Sequence, residues 1–385
     1  MFLAPFKAIR PQPQKMESWV NRQIGKSFDE NYDTIDFLSL IQPNSNKKSQ
    51  IRKRLHSFLR KGILVRDPIP SLYLLQIQTE ENKSYGFIGC VQTEKLNSGE
   101  IKPHEDVEKK RIKTFKEYLQ QTQLNAEPVV LCHQNNNELK KIYSQLTNSQ
   151  TFAKFERNNT SYKLWRIDHS ILIDRINKAL KSIHSLFIAD GHHRCFSSLS
   201  YSKEDKTKNQ FLAILIPYDQ LQIYGFCRMF STLNEMRIDH FVAELSNNFK
   251  VKRLSDYKAP QNILEFSLYI GGSWFCLTSK LSDAATPTQN RIPTNVIYED
   301  IAKPLLGIQN LQKDKRIAYH HYENPSHEIK EDVDKGKYLL GIQHYPIPFS
   351  DIVTTVENFD LLPPKSTHFK PKPLLGMLIF DFLSQ

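Results

Sequence analysis

The sequence is poor in the features that mark secreted and membrane proteins. Its 385 residues include only five cysteines, at least 32 residues apart, which argues against a disulfide framework and a cysteine-based zinc site. The longest apolar run, 211–218, contains a proline and is far shorter than the roughly 18 residues of a membrane-spanning helix. Lys7 and Arg10 precede any apolar stretch, so no secretory signal is recognised. We expect reduced, mostly buried thiols, no membrane partner and a cytoplasmic location.

Acidic residues are outnumbered by basic ones. The chain has 41 Asp and Glu against 52 Lys and Arg, a formal net charge of +11, which solubility, nucleic acid or an anionic small ligand could each explain. Seven of the basic residues fall between 47 and 61, where Ile51, Leu55 and Phe58 recur at helical spacing. The spacing predicts an amphipathic helix over 46–62 with a solvated basic face, ended by Gly62.

Strand and helix patterns occur together along the chain. Apolar runs at 71–78 and 85–92 flank a polar stretch and predict a β-hairpin. Further strand patterns alternate only in places with helical ones, without the strict order of a doubly wound sheet, so we expect an α+β fold of mixed sheets with peripheral helices. We expect two regions, 1–235 and 236–385, with the carboxyl-terminal segment of the second returning to the functional site. The further predicted strands are 128–132, 162–167, 185–189, 211–217, 221–227, 266–270, 274–278 and 377–382, and the further helices are 105–121, 138–146 and 171–183.

The strongest motif follows the apolar run 186–189. It consists of Asp190, Gly191, His192, His193 and Arg194, and a helix pattern continues over 195–201. A tight turn at the start of a helix presents backbone N–H groups and the positive end of the helix dipole, which suits a phosphate. Asp190 would either cap the helix or hold a Mg²⁺ ion. Neighbouring histidines on a helix point about 100° apart, which argues against their sharing one metal ion.

Two further segments carry candidate chemistry. In the first, His104 and Glu105 offer proton acceptors at the entrance to a helix, with an ordinary surface turn as the alternative. In the second, 363–372, three prolines stiffen a basic stretch that a phosphate could approach, although it lacks a P-loop pattern, and a plain basic tail is the alternative. The candidate phosphate ligands of this second segment are Lys365, Ser366, Thr367 and Lys372.

Seven segments together resemble the DUF1015 family, whose members are largely uncharacterised. Val107, Cys195, Leu362 and His368 depart from the residues usual in that family, and these departures affect contacts that a hydroxyl or an aromatic ring would make. The run 190–194 also resembles the signature of the ParB and sulfiredoxin-like superfamily, which includes free serine kinases and in which such a turn holds nucleotide phosphates. The resembling segments are 4–11, 62–65 with Tyr73, 99–105, 125–129, 188–194, 305–308 and 363–372.

The resemblance implies a ParB/sulfiredoxin-like core with additional α/β elements. It implies a nucleotide-dependent phosphotransferase that uses ATP or ADP with Mg²⁺ and acts on a small hydroxylated metabolite, with free L-serine as one acceptor. In this scheme Gly191, His192, His193 and Arg194 hold the phosphates with Lys365, Ser366, Thr367 and Lys372, while Asp190 binds the metal. Glu105 is the expected base, with His104 second.

Two alternatives stay open. The first is a ParB-like nucleotide-binding module with a nucleic-acid or protein partner and no turnover, although the chain shows no helix-turn-helix pattern for reading DNA. The second is a protein that keeps the fold and has lost activity. The phosphotransferase hypothesis requires three distant segments to meet, and it expects Asp190 and Arg194 to lie on an exposed turn. Under this hypothesis the positive charge favours an anionic small ligand over nucleic acid.

Overall fold

The computed structural model describes residues 2–21, 48–281, 288–358, 360–363 and 365–384. Their contacts divide the chain into two compact units. The first unit consists of Met1–Pro103, Val107–Leu221 and Pro371–Gln385, and the second of His104–Asp106 and Gln222–Lys370. The sequence-based boundary at 235/236 stays a prediction about domains, whereas the contacts separate the chain at 221/222.

Strands form five sheets in the described chain. In chain order they are β1 (Ile9–Pro11), β2 (Leu64–Arg66), β3 (Leu72–Gln78), β4 (Lys83–Gln92), β5 (Ile101–Lys102), β6 (Leu124–Asn125), β7 (Val129–His133), β8 (Ala153–Arg157), β9 (Thr160–Ile167), β10 (Leu186–Asp190), β11 (Gln210–Pro217), β12 (Gln222–Tyr224), β13 (Cys227–Phe230), β14 (Phe249–Leu254), β15 (Glu265–Ile270), β16 (Ser273–Ser279), β17 (Ile317–His320), β18 (Leu340–His344), β19 (His368–Lys370) and β20 (Phe380–Asp381).

Helices lie between many of these strands. The α-helices of the first unit are Met16–Asn21, Lys48–Arg60, Glu94–Asn97, Lys109–Thr122, Asn137–Thr147, Ser170–Lys181 and His192–Glu204. Those of the second unit are Ile238–Leu245, Thr288–Arg291, Pro293–Ile297, Pro325–Asp334 and Phe349–Glu357, and a π-helical turn spans Tyr298–Ala302.

The first unit is built on an eight-stranded mixed sheet in the order β5-β10-β7-β11-β4-β3-β9-β8. The central strand β11 pairs in parallel with β7 and antiparallel with β4, and it is buried along nearly its whole length. Such a strand needs a continuous apolar run, which Phe211–Ile216 supplies. The apolar side chains of the sheet form one core with those of the helices Asn137–Thr147 and Ser170–Lys181.

The second unit has a six-stranded sheet in the order β14-β16-β15-β18-β13-β17, and every pairing in it is antiparallel. Alternate residues of its strands form a separate core with Val296 and Ile297 of the helix Pro293–Ile297 and with Ile301 of the π-helical turn. A two-stranded ribbon of β12 and β19 belongs to the same unit. The chain is thus a mixed α+β protein, which confirms the coarse fold prediction.

Most of the predicted elements are present. The β3–β4 hairpin is confirmed, and Gly62 ends its helix with a φ of 64°; residues 46 and 47 of that predicted helix lie outside the described residues. The predicted strand 221–227 is wrong in its extent, because β12 stops at Tyr224 and β13 begins at Cys227. The predicted strand 377–382 shrinks to β20 and one bridge at Ile379.

All five cysteines are free thiols, and four of them are buried, as predicted. The helices of the described residues include none that is long and apolar enough to cross a membrane.

Candidate functional site

The turn after β10 has the predicted strand–turn–helix geometry. Gly191 has a φ of 94°, a value that side chains disfavour, and it forms the N-cap of the 13-residue helix His192–Glu204. Because a helix start carries partial positive charge, the turn can receive an anion. We call residues 190–194 the glycine turn.

Asp190 is held between two cations of the first unit. Its Oδ2 accepts from Arg194 Nη2 at 2.8 Å, and its Oδ1 accepts from Lys372 Nζ at 2.7 Å. Burial alone would raise the pKa of Asp190, but the charges of Arg194 and Lys372 outweigh it and lower the pKa to about 2. The carboxylate is therefore ionised at neutral pH and is a poor proton acceptor.

The predicted Mg²⁺ site at Asp190 does not fit this arrangement. Both carboxylate oxygens already accept from protein cations, which would have to leave before a metal ion could bind. A search of the described residues finds no group of three or more His, Cys, Asp or Glu side chains suited to a metal ion. Asp190 therefore acts as an ion-pair partner of Arg194 and Lys372 in this structure.

Arg194 holds the glycine turn against a second segment of the first unit. Its Nη1 lies 2.6 Å from Glu127 Oε1, and its Nη2 also approaches the carbonyl oxygen of Pro128 at 3.3 Å. The guanidinium covers Gly191 so closely that a Cβ there would lie 2.8 Å from Nη2. The expectation that Arg194 is exposed is wrong, because its side chain is only 15% exposed and both terminal nitrogens bind carboxylates.

The two histidines of the turn have different environments. His192 is buried, whereas the Nε2 atom of His193 accepts from the backbone N–H of Glu108 at 3.1 Å. Because Glu108 is the N-cap of Lys109–Thr122, His193 fastens the start of that helix to the glycine turn. This role requires an unprotonated Nε2 and a neutral imidazole.

In the second unit, His104 and Glu105 contact residues of the segment 363–372, which we call the proline-rich segment. The backbone N–H of Lys365, which has a φ of 58°, donates to Glu105 Oε1 at 2.6 Å. His104 Nε2 lies 2.9 Å from Thr367 Oγ1, and the backbone N–H of Leu362 donates to the His104 carbonyl oxygen at 2.8 Å. About 260 residues of sequence separate these two segments, which are in contact within this unit. The convergence of all three segments stays a prediction.

Not every predicted ligand in this cluster is accessible. Ser366 is fully buried, where its hydroxyl donates to the carbonyl oxygen of Pro363 and lies 2.9 Å from Thr294 Oγ1. It is therefore packed as a core residue, which argues against its predicted contact with phosphate. His104 is also buried, whereas Lys365 is exposed. Pro364 lies outside the described residues.

The predicted site residues thus occur in two clusters. The first unit holds the glycine turn with Lys372, and the second holds His104, Glu105, Lys365, Ser366 and Thr367. The sequence patterns predict no role for Glu127, although it lies in the family-like segment 125–129. They also predict none for Arg228 and His344, which are buried in the second unit. The sequence does contain a signal for Arg228, namely a charged residue within the otherwise apolar strand Cys227–Phe230.

Comparisons with known proteins place the chain in a family without assigning it an activity. None of the curated proteins compared with it is significantly similar. Solved structures that match it include a free serine kinase in complex with AMP (14% identity, TM-score 0.38, 75% of this chain and 92% of that one). Others are a truncated SbnI from Staphylococcus aureus (10%, 0.41, 75% and 85%) and a conserved hypothetical protein from Pyrococcus furiosus (14%, 0.38, 77% and 96%).

The family comparison identifies the family of the chain. Residues 3–297 match the family described as "Protein of unknown function (DUF1015)", and they include the glycine turn, Glu127, His104 and Glu105. The proline-rich segment lies beyond the matched residues. Because the match covers most of the chain, this protein is a member of the DUF1015 family.

Proposed function

We propose that this protein is a nucleotide-dependent phosphotransferase that acts on a small hydroxylated metabolite, with free L-serine as the first acceptor to test. The observation that carries the proposal is the glycine turn, where a left-handed glycine starts a 13-residue helix and a distant lysine, Lys372, reaches the same point. The resemblance of this turn to the ParB and sulfiredoxin-like signature supports a core of that type for the first unit.

The glycine turn has the properties that phosphate binding requires. Gly191 has no side chain to hinder the approach of a phosphate, and the helix dipole favours negative charge at this end. Lys372 is 42% exposed, so its ammonium group can move from Asp190 to a nucleotide phosphate. Arg194 is a positioning residue, because its contacts with Glu127 and Asp190 hold the turn in shape. Phosphoryl transfer depends mainly on such positioning and charge neutralisation.

Glu105 is the proposed general base for the acceptor hydroxyl. Its carboxylate is partly exposed, and the hydrogen bond from the Lys365 N–H fixes the orientation of one oxygen. His104 is the weaker candidate because it is buried. Mg²⁺ is proposed to arrive bound to the nucleotide, whose phosphates supply its ligands.

The test is a search for a phosphorylated product. The protein is incubated with ATP, ADP or CTP, Mg²⁺ and a panel of hydroxylated metabolites that includes serine, and mass spectrometry detects a gain of phosphate. Product with at least one acceptor is expected, and Glu105→Gln should lower its rate by about 100-fold or more. Nucleotide binding without any product would instead favour the ParB-like binding module.

A matched pair of lysine variants tests the nucleotide site itself. Lys372→Met removes the cation at the glycine turn and is expected to weaken nucleotide binding about tenfold, by calorimetric titration. Lys178→Met removes an exposed cation of the helix Ser170–Lys181 and should leave the affinity unchanged. Equal affinities in the two variants would contradict the assignment of the turn.

A further inference from the structure

Arg228 is a buried cation of the second unit. It lies in β13 with 1% of its surface exposed, and only its Nη1 has an acceptor, the carbonyl oxygen of Phe226 at 3.2 Å. The Nε and Nη2 atoms are buried without a hydrogen-bond partner within the described ranges. No carboxylate of those ranges pairs with the guanidinium, and its Cζ lies 5.5 Å from the centroid of the Tyr319 ring.

The charge of Arg228 persists despite this burial. Burial lowers the pKa of Arg228 to about 10, which still leaves the guanidinium protonated at neutral pH. A buried charge is costly unless a partner of opposite charge and hydrogen bonds compensate it. Because the described chain supplies no such partner, the uncompensated donors point to an anion from outside the chain.

His344 adds an acceptor beside these donors. It is 2% exposed, and its Nδ1 donates to the carbonyl oxygen of Tyr345 at 2.7 Å, which leaves Nε2 as a lone-pair acceptor. This Nε2 is buried and has no partner in the part of the chain that the structure describes. Burial and the nearby charge of Arg228 keep His344 neutral by lowering its pKa to about 3. Arg228 pairs with Ile342 between β13 and β18, and His344 follows two residues later, so the unused donors and the unused acceptor lie on the same face of the sheet on adjacent strands.

Two lysines of the second unit lie over aromatic rings that precede β13 in the chain. The ring of Phe226 is half-buried, and Lys365 Nζ lies 5.5 Å from its centroid. Lys370 Nζ lies 5.3 Å from the ring of Tyr224. Neither lysine forms an ion pair with a carboxylate among the residues described, so both favour the approach of an anion.

We propose that the second unit binds a small carboxylate that carries a neighbouring hydroxyl group, at Arg228 and His344. The carboxylate accepts from Nε and Nη2 of Arg228, an edge that matches its two oxygens, and the hydroxyl donates to Nε2 of His344. An anion with acceptors alone would leave His344 unsatisfied, whereas a hydroxy acid satisfies both residues. The proposal concerns binding and stands whether or not the protein transfers phosphate.

The test compares hydroxy acids with their uncharged amides on the full-length protein. D-Glycerate, L-lactate and L-serine are titrated beside glyceramide, lactamide and serinamide by calorimetry, and each compound is also tested for a shift in Tm. At least one hydroxy acid is expected to bind and to raise the Tm, while its amide does neither. The proposal is overturned if none of the acids binds, as expected where only water bridges Arg228 and His344.

Variants assign the binding to these two residues. Arg228→Met should weaken the binding of the hydroxy acid at least tenfold. Arg316→Met is the control and should leave the binding unchanged, because Arg316 is paired with Asp314 at 2.7 Å. Arg228→Lys keeps the charge without the two-nitrogen edge and gives the same test if the methionine variant does not fold. Unchanged affinity in either Arg228 variant overturns the proposal.

The hydroxyl assignment has its own variant. His344→Asn keeps a donor near the Tyr345 carbonyl oxygen but removes the Nε2 acceptor, so it should weaken the binding of L-lactate about tenfold more than that of propionate. An equal effect on both acids would exclude the proposed contact between the hydroxyl and His344.

Discussion

Four charged residues surround Gly191, and their charges cancel: Asp190 and Glu127 are negative, and Arg194 and Lys372 are positive. An incoming phosphate must therefore displace an ion pair. The ion pair of Lys372 with Asp190 breaks more easily than that of Arg194 with Asp190, because the side chain of Lys372 is 42% exposed and that of Arg194 only 15%. Lys372 is the mobile partner, and Arg194 stays with the turn.

The first prediction concerns the left-handed glycine. Gly191→Ala places a Cβ 2.8 Å from the Arg194 guanidinium and adds about 1 kcal/mol of backbone strain, so nucleotide binding should be lost. Gly99→Ala is the matched control, because Gly99 has a φ of 76° and nothing within 4 Å of the added Cβ. Urea unfolding should show a lower free energy of unfolding in both variants. Calorimetric titration should show a loss of nucleotide binding in Gly191→Ala and unchanged binding in Gly99→Ala. Intact binding in Gly191→Ala would argue against the turn as the phosphate site.

The second prediction concerns Arg194 as a positioning residue. Arg194→Ala leaves Asp190 and Glu127 without their shared cation and should lower the free energy of unfolding by about 3 kcal/mol. Arg175→Ala removes an exposed partner of Glu138 and should lower the free energy of unfolding far less, because water screens this ion pair. Denaturant unfolding measures both values. A small loss in Arg194→Ala would restore the expectation of an exposed, replaceable arginine.

Among the structural elements, the carboxyl-terminal segment fastens the first unit. In Pro371–Gln385, Asp381 is 1% exposed and accepts from Arg52 at 2.8 Å and from Arg66 at 3.0 Å, and β20 pairs with β6. The same segment carries Lys372 to the glycine turn. Its attachment is therefore a condition for the geometry of the proposed phosphate site.

The third prediction tests that attachment. Asp381→Asn removes the negative charge that Arg52 and Arg66 share, so it should cost about 3 kcal/mol and release the carboxyl-terminal segment. Limited proteolysis should then cleave within this segment, and nucleotide affinity should fall as in Lys372→Met. The control is Asp168→Asn, since Asp168 is 40% exposed beside Arg166. Protection equal to that of the wild type would show that the segment is held by its apolar contacts instead.

The success of sequence reasoning varies with the range of the interactions. The hairpin at β3–β4 and the turn at Gly191 follow from local patterns, because alternation and left-handed glycines act over a few residues. The partners of Arg194 and the burial of Ser366 depend on residues far along the chain, so local patterns could not predict them. The strand β18 was missed because its glycine and polar residues weaken the apolar pattern.

At the level of the whole molecule, a buried histidine with a strongly lowered pKa lies in each unit. His133 lies in β7 of the first unit, where burial lowers its pKa to about 4, and His344 lies in β18 of the second, where burial and Arg228 lower its pKa to about 3. Their pKa values in the unfolded chain are near 6.5. Between these values the unfolded state binds more protons, so acid destabilises both units.

The fourth prediction follows from that sign. As the pH falls from about 6.5 to about 4, each histidine should remove about 1.4 kcal/mol of unfolding free energy per pH unit. His133→Asn and His344→Asn should each reduce the slope, whereas His327→Asn, at a site 70% exposed, should not. Urea unfolding at several pH values measures the slopes. Identical slopes in all three variants would mean that other groups cause the acid sensitivity.

The residues of the first unit are not all synthesised before those of the second unit. The residues of Pro371–Gln385 are translated only after all of Gln222–Lys370, yet they belong to the first unit. Arg52 and Arg66 are synthesised early, whereas their partner Asp381 is synthesised only after the residues of the second unit. During that interval the first unit lacks both a buried counter-ion and its lysine at the glycine turn. A nascent chain is thus expected to complete the nucleotide site last, so partly synthesised forms should bind nucleotide about tenfold less tightly than the full-length protein, as Lys372→Met should.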